Sequence, residues 1–275
     1  MKFKGHESFY IRRGWLYKGL KNIQENPGVF LAKNAMEHLG LGSNMVKSLR
    51  YWLQATGLTA ERSEGGRRLQ RATQLGQLIW EHDPYMEELG TLWLLHAQLA
   101  QSSELATAWY MFFHVFGMQE FQKEDFVRFL QQHTDAAASS LASDFDCLMS
   151  TYIPRSLLKG KADPESNTEC PLGELGLIAV VDSRKKLYRR KGTSSRDVPG
   201  LIFLAVLRQI WPGRQEIRLQ EIMSGTEALP GPAQIFQLDI VGVMQVLYRL
   251  ERWDRLKVIR TAGLDVVRLA TNEDM

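Results

Sequence analysis

The residues of this chain best suited to chemistry with a polyanion fall at helical spacing between positions 43 and 54. Laid out at about 100° per residue, Ser43, Asn44, Lys47, Arg50, Tyr51 and Gln54 share one arc, opposite an apolar arc of Met45, Val46, Leu49, Trp52 and Leu53. Asn and Gln can bind adenine edges, Arg and Lys can bind guanine edges or phosphates, and Ser and Tyr can hold the backbone. A helix lying in a major groove needs such a set. Downstream, Arg62, Arg67, Arg68 and Arg71 flank Glu64-Gly65-Gly66, a hairpin-turn signal, and would ride on a small β-ribbon within reach of phosphates or a minor groove. A polar helix face with a few cations also fits plain solvation, and modules of this kind also dock proteins. Two separate elements placing positive charge on one side favour double-stranded DNA as the ligand.

Other residues invite chemistry of a different kind. His6-Glu7 sets an imidazole beside a carboxylate, a pair that can do acid–base work or share a cation. Adjacent residues of an extended segment point to opposite faces, so an anchoring hydrogen bond for His6 competes with a catalytic role for His6 and Glu7. No PD-(D/E)xK, HNH or GIY-YIG arrangement is present. If the chain nicks DNA, His6, Glu7, Tyr10, Arg12 and Arg13 are the candidates nearest the basic surface, with Mg or Mn as the cofactor. Asp144 and Asp146 form a close carboxylate pair, but a spacing of two on a helix turns them apart, and no metal site is assigned. Cys147 and Cys170 are too few and too distant for a zinc knuckle or a disulfide framework, and are expected as reduced thiols. His96 and His114 sit near apolar faces and read as core or boundary histidines.

The elements that must position the polar helix follow from periodicity. Trp15, Leu16, Leu20 and Ile23 predict a first helix stopped by Pro27, and Ala32, Met36 and Leu39 a second. Gly40 and Gly42 suit the turn, and Ser43 the N-cap of the third helix. Residues 1–80 therefore read as a winged helix-turn-helix. Residues 81–158 read as helical throughout, with a dense aromatic stripe of Trp109, Phe112, Phe113 and Phe116 in one helix over 105–116. A polar stretch from Arg155 to Glu169 is the clearest linker. Residues 159–275 then read as a second, winged-helix-like domain. Its strands over 177–181 and 187–190 flank a basic turn at 182–186. Helices are predicted over 198–211 and 239–253, with a strand at 217–219 and a helix from 220 between them, and a hairpin around Ala262-Gly263 follows. The outer face of the helix over 239–253 is less cationic, which suits protein contact or homodimerisation better than base readout. The fold class expected is mainly α with small β-hairpins (α+β).

Composition sets the bounds. At 275 residues, 44% hydrophobic and 24% charged, the chain has the make-up of an ordinary globular protein. A net charge of +3 is too small for a global field, so binding to a polyanion must come from local clusters. The opening MKFKGHESFY has no apolar signal core and no run of about 18 apolar residues occurs, so no membrane partner is expected and the cytoplasm is the expected location.

Six short motifs, GHESFYIRRGWLYKG, LGLGSNMVKSLRYW, WLLHAQL, ATAWYMFF, CLMSTYIP and CPLGELGLI, occur in an order that resembles the bacterial DUF4007 family over nearly the whole chain. Members of that family are similar to SspB-type components of the Ssp system for single-strand DNA phosphorothioation, a phage-defence modification. The resemblance implies partners: a cysteine desulfurase, a PAPS-reductase-like ATP pyrophosphatase and an ATPase. It also implies a role in DNA binding, and in nicking the strand to give the sulfur machinery access. A non-catalytic assembly or regulatory protein that recruits sulfur-transfer partners to DNA is the alternative. No catalytic residue can be carried over from the family to a position of this chain.

Overall fold

The computed structural model describes residues 1–159, 169–261 and 264–270. Most of the expected linker between Arg155 and Glu169, and the turn Ala262-Gly263, lie outside them. About half of the protein is helical and the rest carries small antiparallel sheets, an α+β architecture. It comprises two compact units, one of residues 1–112 and 116–190, the other of 113–115 and 191–275.

In the first unit, α1 (Trp15–Glu25) starts after Gly14 at φ 79 and buries Trp15, Leu16, Leu20 and Ile23. A 3-10 turn (Val29–Leu31) and α2 (Ala35–Leu39) lead through Gly40, at φ 58, to α3 (Ser43–Ala55). Gly19 lets α1 and α3 approach closely, since a Cβ there would sit 2.6 Å from Leu53 Cδ1. Strands β1 (Thr59–Glu64) and β2 (Arg67–Ala72) pair antiparallel from Thr59↔Ala72 to Glu64↔Arg67. Gly65 and Gly66 take φ 57 and 75, the positive pair that a tight two-residue hairpin turn requires. Helix α4 (Gln74–His82) follows, its start capped by Thr73 Oγ1, which accepts the Gly76 N–H at 3.0 Å.

The remainder of this unit is α5 (Leu89–Gln101), α6 (Thr107–Tyr110), β3 (Glu120–Phe121), α7 (Lys123–Gln131), α8 (Ala138–Tyr152) and α9 (Arg155–Lys159). A 3-10 turn (Pro171–Leu175), β4 (Ile178–Asp182) and β5 (Leu187–Arg190) complete it. The single helix expected over 105–116 is not what forms: α6 is short and passes into a π-helical turn over Met111–Val115. The Arg190 guanidinium donates to the Phe112 and Phe116 carbonyls, to the latter at 2.7 Å, and lies 4.0 Å from the centre of the Phe112 ring. Burial pushes the Arg190 pKa down to about 10. Phe112, Phe116, Phe121 and Phe126 pack edge to face at ring separations of 5.0 to 5.7 Å, so the aromatic stripe is core. The short β3, which the sequence did not announce, completes a sheet of order β3-β5-β4.

The second unit runs α10 (Gly200–Ile210), β6 (Glu216–Arg218), α11 (Leu219–Ser224), α12 (Pro232–Ile235), α13 (Ile240–Glu251), β7 (Leu256–Thr261) and β8 (Leu264–Leu269). Its sheet has the order β6-β8-β7. Asp239 starts α13 by accepting the Gly242 N–H at 2.7 Å. Phe203, Leu207, Ile222, Phe236, Val243, Val246, Leu247 and Leu250 bury the core. His114 is a boundary residue of this unit, its Nε2 3.1 Å from the Thr226 carbonyl, and partial burial lowers its pKa.

Candidate nucleic-acid interface

Helix α3 divides as its periodicity dictates over its first two turns. Val46, Leu49, Trp52 and Leu53 are buried, while Ser43, Asn44 and Lys47 are exposed at the N-terminal end. The far end of the polar arc is committed to the fold. Arg50 Nε donates to Glu61 Oε1 on β1 at 2.8 Å, and Gln54 Nε2 donates to the same oxygen at 3.1 Å. Gln70 Nε2 on β2 donates to the Arg50 carbonyl at 2.9 Å. Arg50 and Gln54 thus strap the helix to the hairpin.

Tyr51 does not lie on the outer face at all. It is 5% exposed, its hydroxyl donates to the Leu105 carbonyl at 2.9 Å, and burial raises its pKa well above the usual range. The cause is the N-terminal segment, which packs over this side of α3. A Cβ on Gly5 would meet the Tyr51 ring at 2.6 Å, and Ser48 Oγ and Trp52 Nε1 both donate to the Phe9 carbonyl, at 3.2 and 2.8 Å. A helical wheel contains no information about a segment that arrives from elsewhere.

The hairpin register sorts the arginines by face. Residues directly opposite in an antiparallel pair share a face, so Arg62, Arg67 and Arg71 lie together, whereas Arg68 shares its face with Glu61 and Gln70. Arg71 donates to Glu64 through two bonds, at 2.9 and 2.7 Å, and these, with Arg62 nearby, hold the Glu64 carboxyl below its usual range. Lys47, Arg62, Arg67 and Arg68 are exposed and make no ion pair among the described residues. Of the ten positions singled out on helix and hairpin, six remain open to a ligand: Ser43, Asn44, Lys47, Arg62, Arg67 and Arg68.

His6 is fully buried, its ring 6.0 Å from both Trp52 and Trp109. Nδ1 accepts the Ser8 N–H at 3.1 Å, which leaves the proton on Nε2 to be donated to Asp144 Oδ1 at 2.7 Å. Asp144, itself 2% exposed, also accepts the Lys4 N–H at 3.0 Å. These contacts are those of an anchor, with both ring nitrogens taken up inside the protein. Glu7 takes a left-handed φ of 49, and its carboxylate is not part of the network. Among the other nicking candidates, Arg12 lies 5.3 Å over the Trp15 ring and Arg13 pairs with Glu174. Asp144 and Asp146 diverge as their spacing requires, Asp146 pairing with Lys123 at 2.5 Å. Cys147 and Cys170 are buried thiols whose pKa values burial raises, Cys170 to about 12, so neither is a ready thiolate.

Sequence reasoning passed over Glu61 and Ser48, and weighed Asp144 only as half of a carboxylate pair and not as the partner of His6 and Lys4; these residues hold the basic surface and the N-terminal segment in place. Of these roles only that of Glu61 left a trace, as an acid inside an arginine-rich ribbon that faces a cationic helix.

Two solved structures are similar to this chain. A magnesium ion-bound SspB crystal structure matches 98% of it and 83% of that chain, at 29% identity and a TM-score of 0.86. A second SspB crystal structure matches with the same coverage, at 27% identity and a TM-score of 0.85. No curated protein sequence matches. The family model described as protein of unknown function DUF4007 matches residues 3–275, and the chain belongs to that family.

Proposed function

We propose that this protein is a DNA-binding component of a phosphorothioate-modification system, and that the start of α3 and the β1–β2 ribbon meet the duplex. In this reading residues 1–80 act as a winged helix-turn-helix, 81–158 as a helical body and 159–275 as a winged-helix-like module. The observation that carries it is the set of exposed cations, Lys47, Arg62, Arg67 and Arg68, on one helix end and one hairpin, none of them in an ion pair among the described residues. The N-terminal turn of a recognition helix is the part that meets base edges, and there Ser43 and Asn44 are free to do so. The similarity to SspB supports a role in sulfur modification of DNA, and the partners proposed are those the family resemblance implies, a desulfurase, a pyrophosphatase and an ATPase.

The test is duplex affinity by fluorescence anisotropy across a salt series. The unmodified protein should lose affinity steeply with salt. Arg67→Ala/Arg68→Ala should flatten the log–log slope by up to about 1.8, at about 0.9 per phosphate contact. Absence of binding at low salt, or a slope untouched by the double change, overturns the reading.

Nicking is the second reading, favoured by the magnesium named with one SspB structure. Among the described residues no three or more His, Cys, Asp or Glu side chains gather to cage a cation, and Asp144 is spent on His6 and Lys4. Magnesium commonly keeps several waters and takes only one or two protein carboxylates, so no site and no step are assigned to it. Relaxation of a supercoiled plasmid with and without Mg or Mn tests this reading. Glu7→Gln is the informative variant, because His6→Ala would disturb the fold.

A further inference from the structure

We propose that the β4–β5 turn is a second contact for the DNA phosphodiester backbone, separate from α3 and the β1–β2 ribbon. Arg184, Lys185 and Lys186 stand consecutively at this turn, all exposed, and none makes an ion pair among the described residues. The loop that carries them is built to hold its shape. Asp182 Oδ1 accepts the N–H groups of Arg184 and Lys185 at 2.9 and 3.1 Å, and Gln122 Nε2 donates to the Lys185 carbonyl at 2.7 Å. Lys186 takes φ 50, a left-handed position that closes the turn without glycine.

Like charges held this closely repel one another, and the acid nearest in sequence, Asp182, is occupied by backbone donors instead of cationic heads. A neighbouring pair on the same sheet shows the contrast. Arg189 is bonded to its cross-strand neighbour Glu120 at 2.6 Å and its charge is offset. A row of unneutralised cations on a pinned turn is relieved by a polyanion, and the phosphodiester backbone supplies regularly spaced charge without demanding sequence.

This inference rests on the DNA-binding reading above, and one experiment separates the two. The salt dependence of affinity for a fixed duplex is measured for the full chain, for R184Q/K185Q/K186Q and for R67A/R68A. The tip variant should flatten the slope by between about 1 and 2.7, at about 0.9 for each phosphate no longer neutralised, with base preference unchanged. D182E, which keeps every charge but moves the carboxylate away from the Arg184 and Lys185 N–H groups, should weaken binding several-fold with the slope retained. If R67A/R68A flattens the slope and the tip variant does not, the second contact is wrong and the first stands. If the full chain binds no duplex, both fall. A tip variant that instead loses binding to anionic vesicles while keeping duplex affinity overturns the assignment to DNA.

Discussion

Both units place an amphipathic helix directly before an antiparallel hairpin, α3 before β1–β2 and α13 before β7–β8, yet the uncovered faces differ in chemistry. At the start of α3 that face offers Ser43, Asn44 and Lys47; on α13 it offers Ile240, Val241 and Tyr248, which are 45%, 59% and 40% exposed. The hairpins differ at two positions of the first, although its Arg71 pairs with Glu64. Arg67 and Arg68 have no acidic partner among the described residues, whereas Arg268 pairs with Glu216 at 2.7 Å and Arg260 lies 5.8 Å over the Tyr248 ring. A shared order of elements fixes where a surface is, and the residues left outside fix what it can meet. Polar and cationic side chains suit a polyanion, while an apolar helix face rimmed by engaged arginines suits protein.

The strongest way to break this comparison is to remove the His6–Asp144 anchor of the first unit. His6→Ala leaves Asp144 buried without its imidazole partner and opens space beside the Trp52–Trp109 pair. It should destabilise the first unit by about 3 kcal/mol. Hydrogen exchange should locate that loss in the first unit, leaving residues 191–261 protected as before. Equal loosening of both would mean that the node is not specific to one unit.

Next in size is the contrast in surfaces itself. Val241→Asp/Tyr248→Ser on α13 should leave duplex affinity within about twofold while lowering any self-association seen by sedimentation. A large loss of duplex affinity would instead make α13 a DNA contact.

The second unit has an acid response of its own. The Arg214 guanidinium, with the Arg218 backbone N–H and side chain, holds the Glu221 carboxyl down to about 2. A carboxyl lowered by folding stabilises above its ordinary 4.5, and that stabilisation is lost as pH falls from there through about 2. Thermal unfolding of the second unit should therefore drop across that window, and Glu221→Gln should remove this part of the drop.

The smallest effect sharpens the reading of α3. Arg50→Ala removes the strap to Glu61, a partly exposed pair, and should cost about 0.5–1 kcal/mol of stability with little change in base preference. If sequence discrimination falls by about 1–3 kcal/mol instead, Arg50 leaves Glu61 on binding and reads a base.

Much of the architecture was legible from local signals. The stripe Val46, Leu49, Trp52, Leu53 specified a helix and its buried side, and Gly65-Gly66 specified the ribbon turn, because period and positive φ are properties of a few adjacent residues. The strands Leu256–Thr261 and Leu264–Leu269 were equally local. Local pattern likewise determined that Asp144 and Asp146 diverge. Only the tertiary structure decided that Tyr51 is sealed, that Arg50 and Gln54 are held by Glu61, that His6 is an anchor and that α6 widens at Met111 to meet Arg190. Each of these depends on a partner distant in sequence or on a segment packed over a face. Helical spacing says which side chains point the same way. It cannot say what else the chain will bring to meet them.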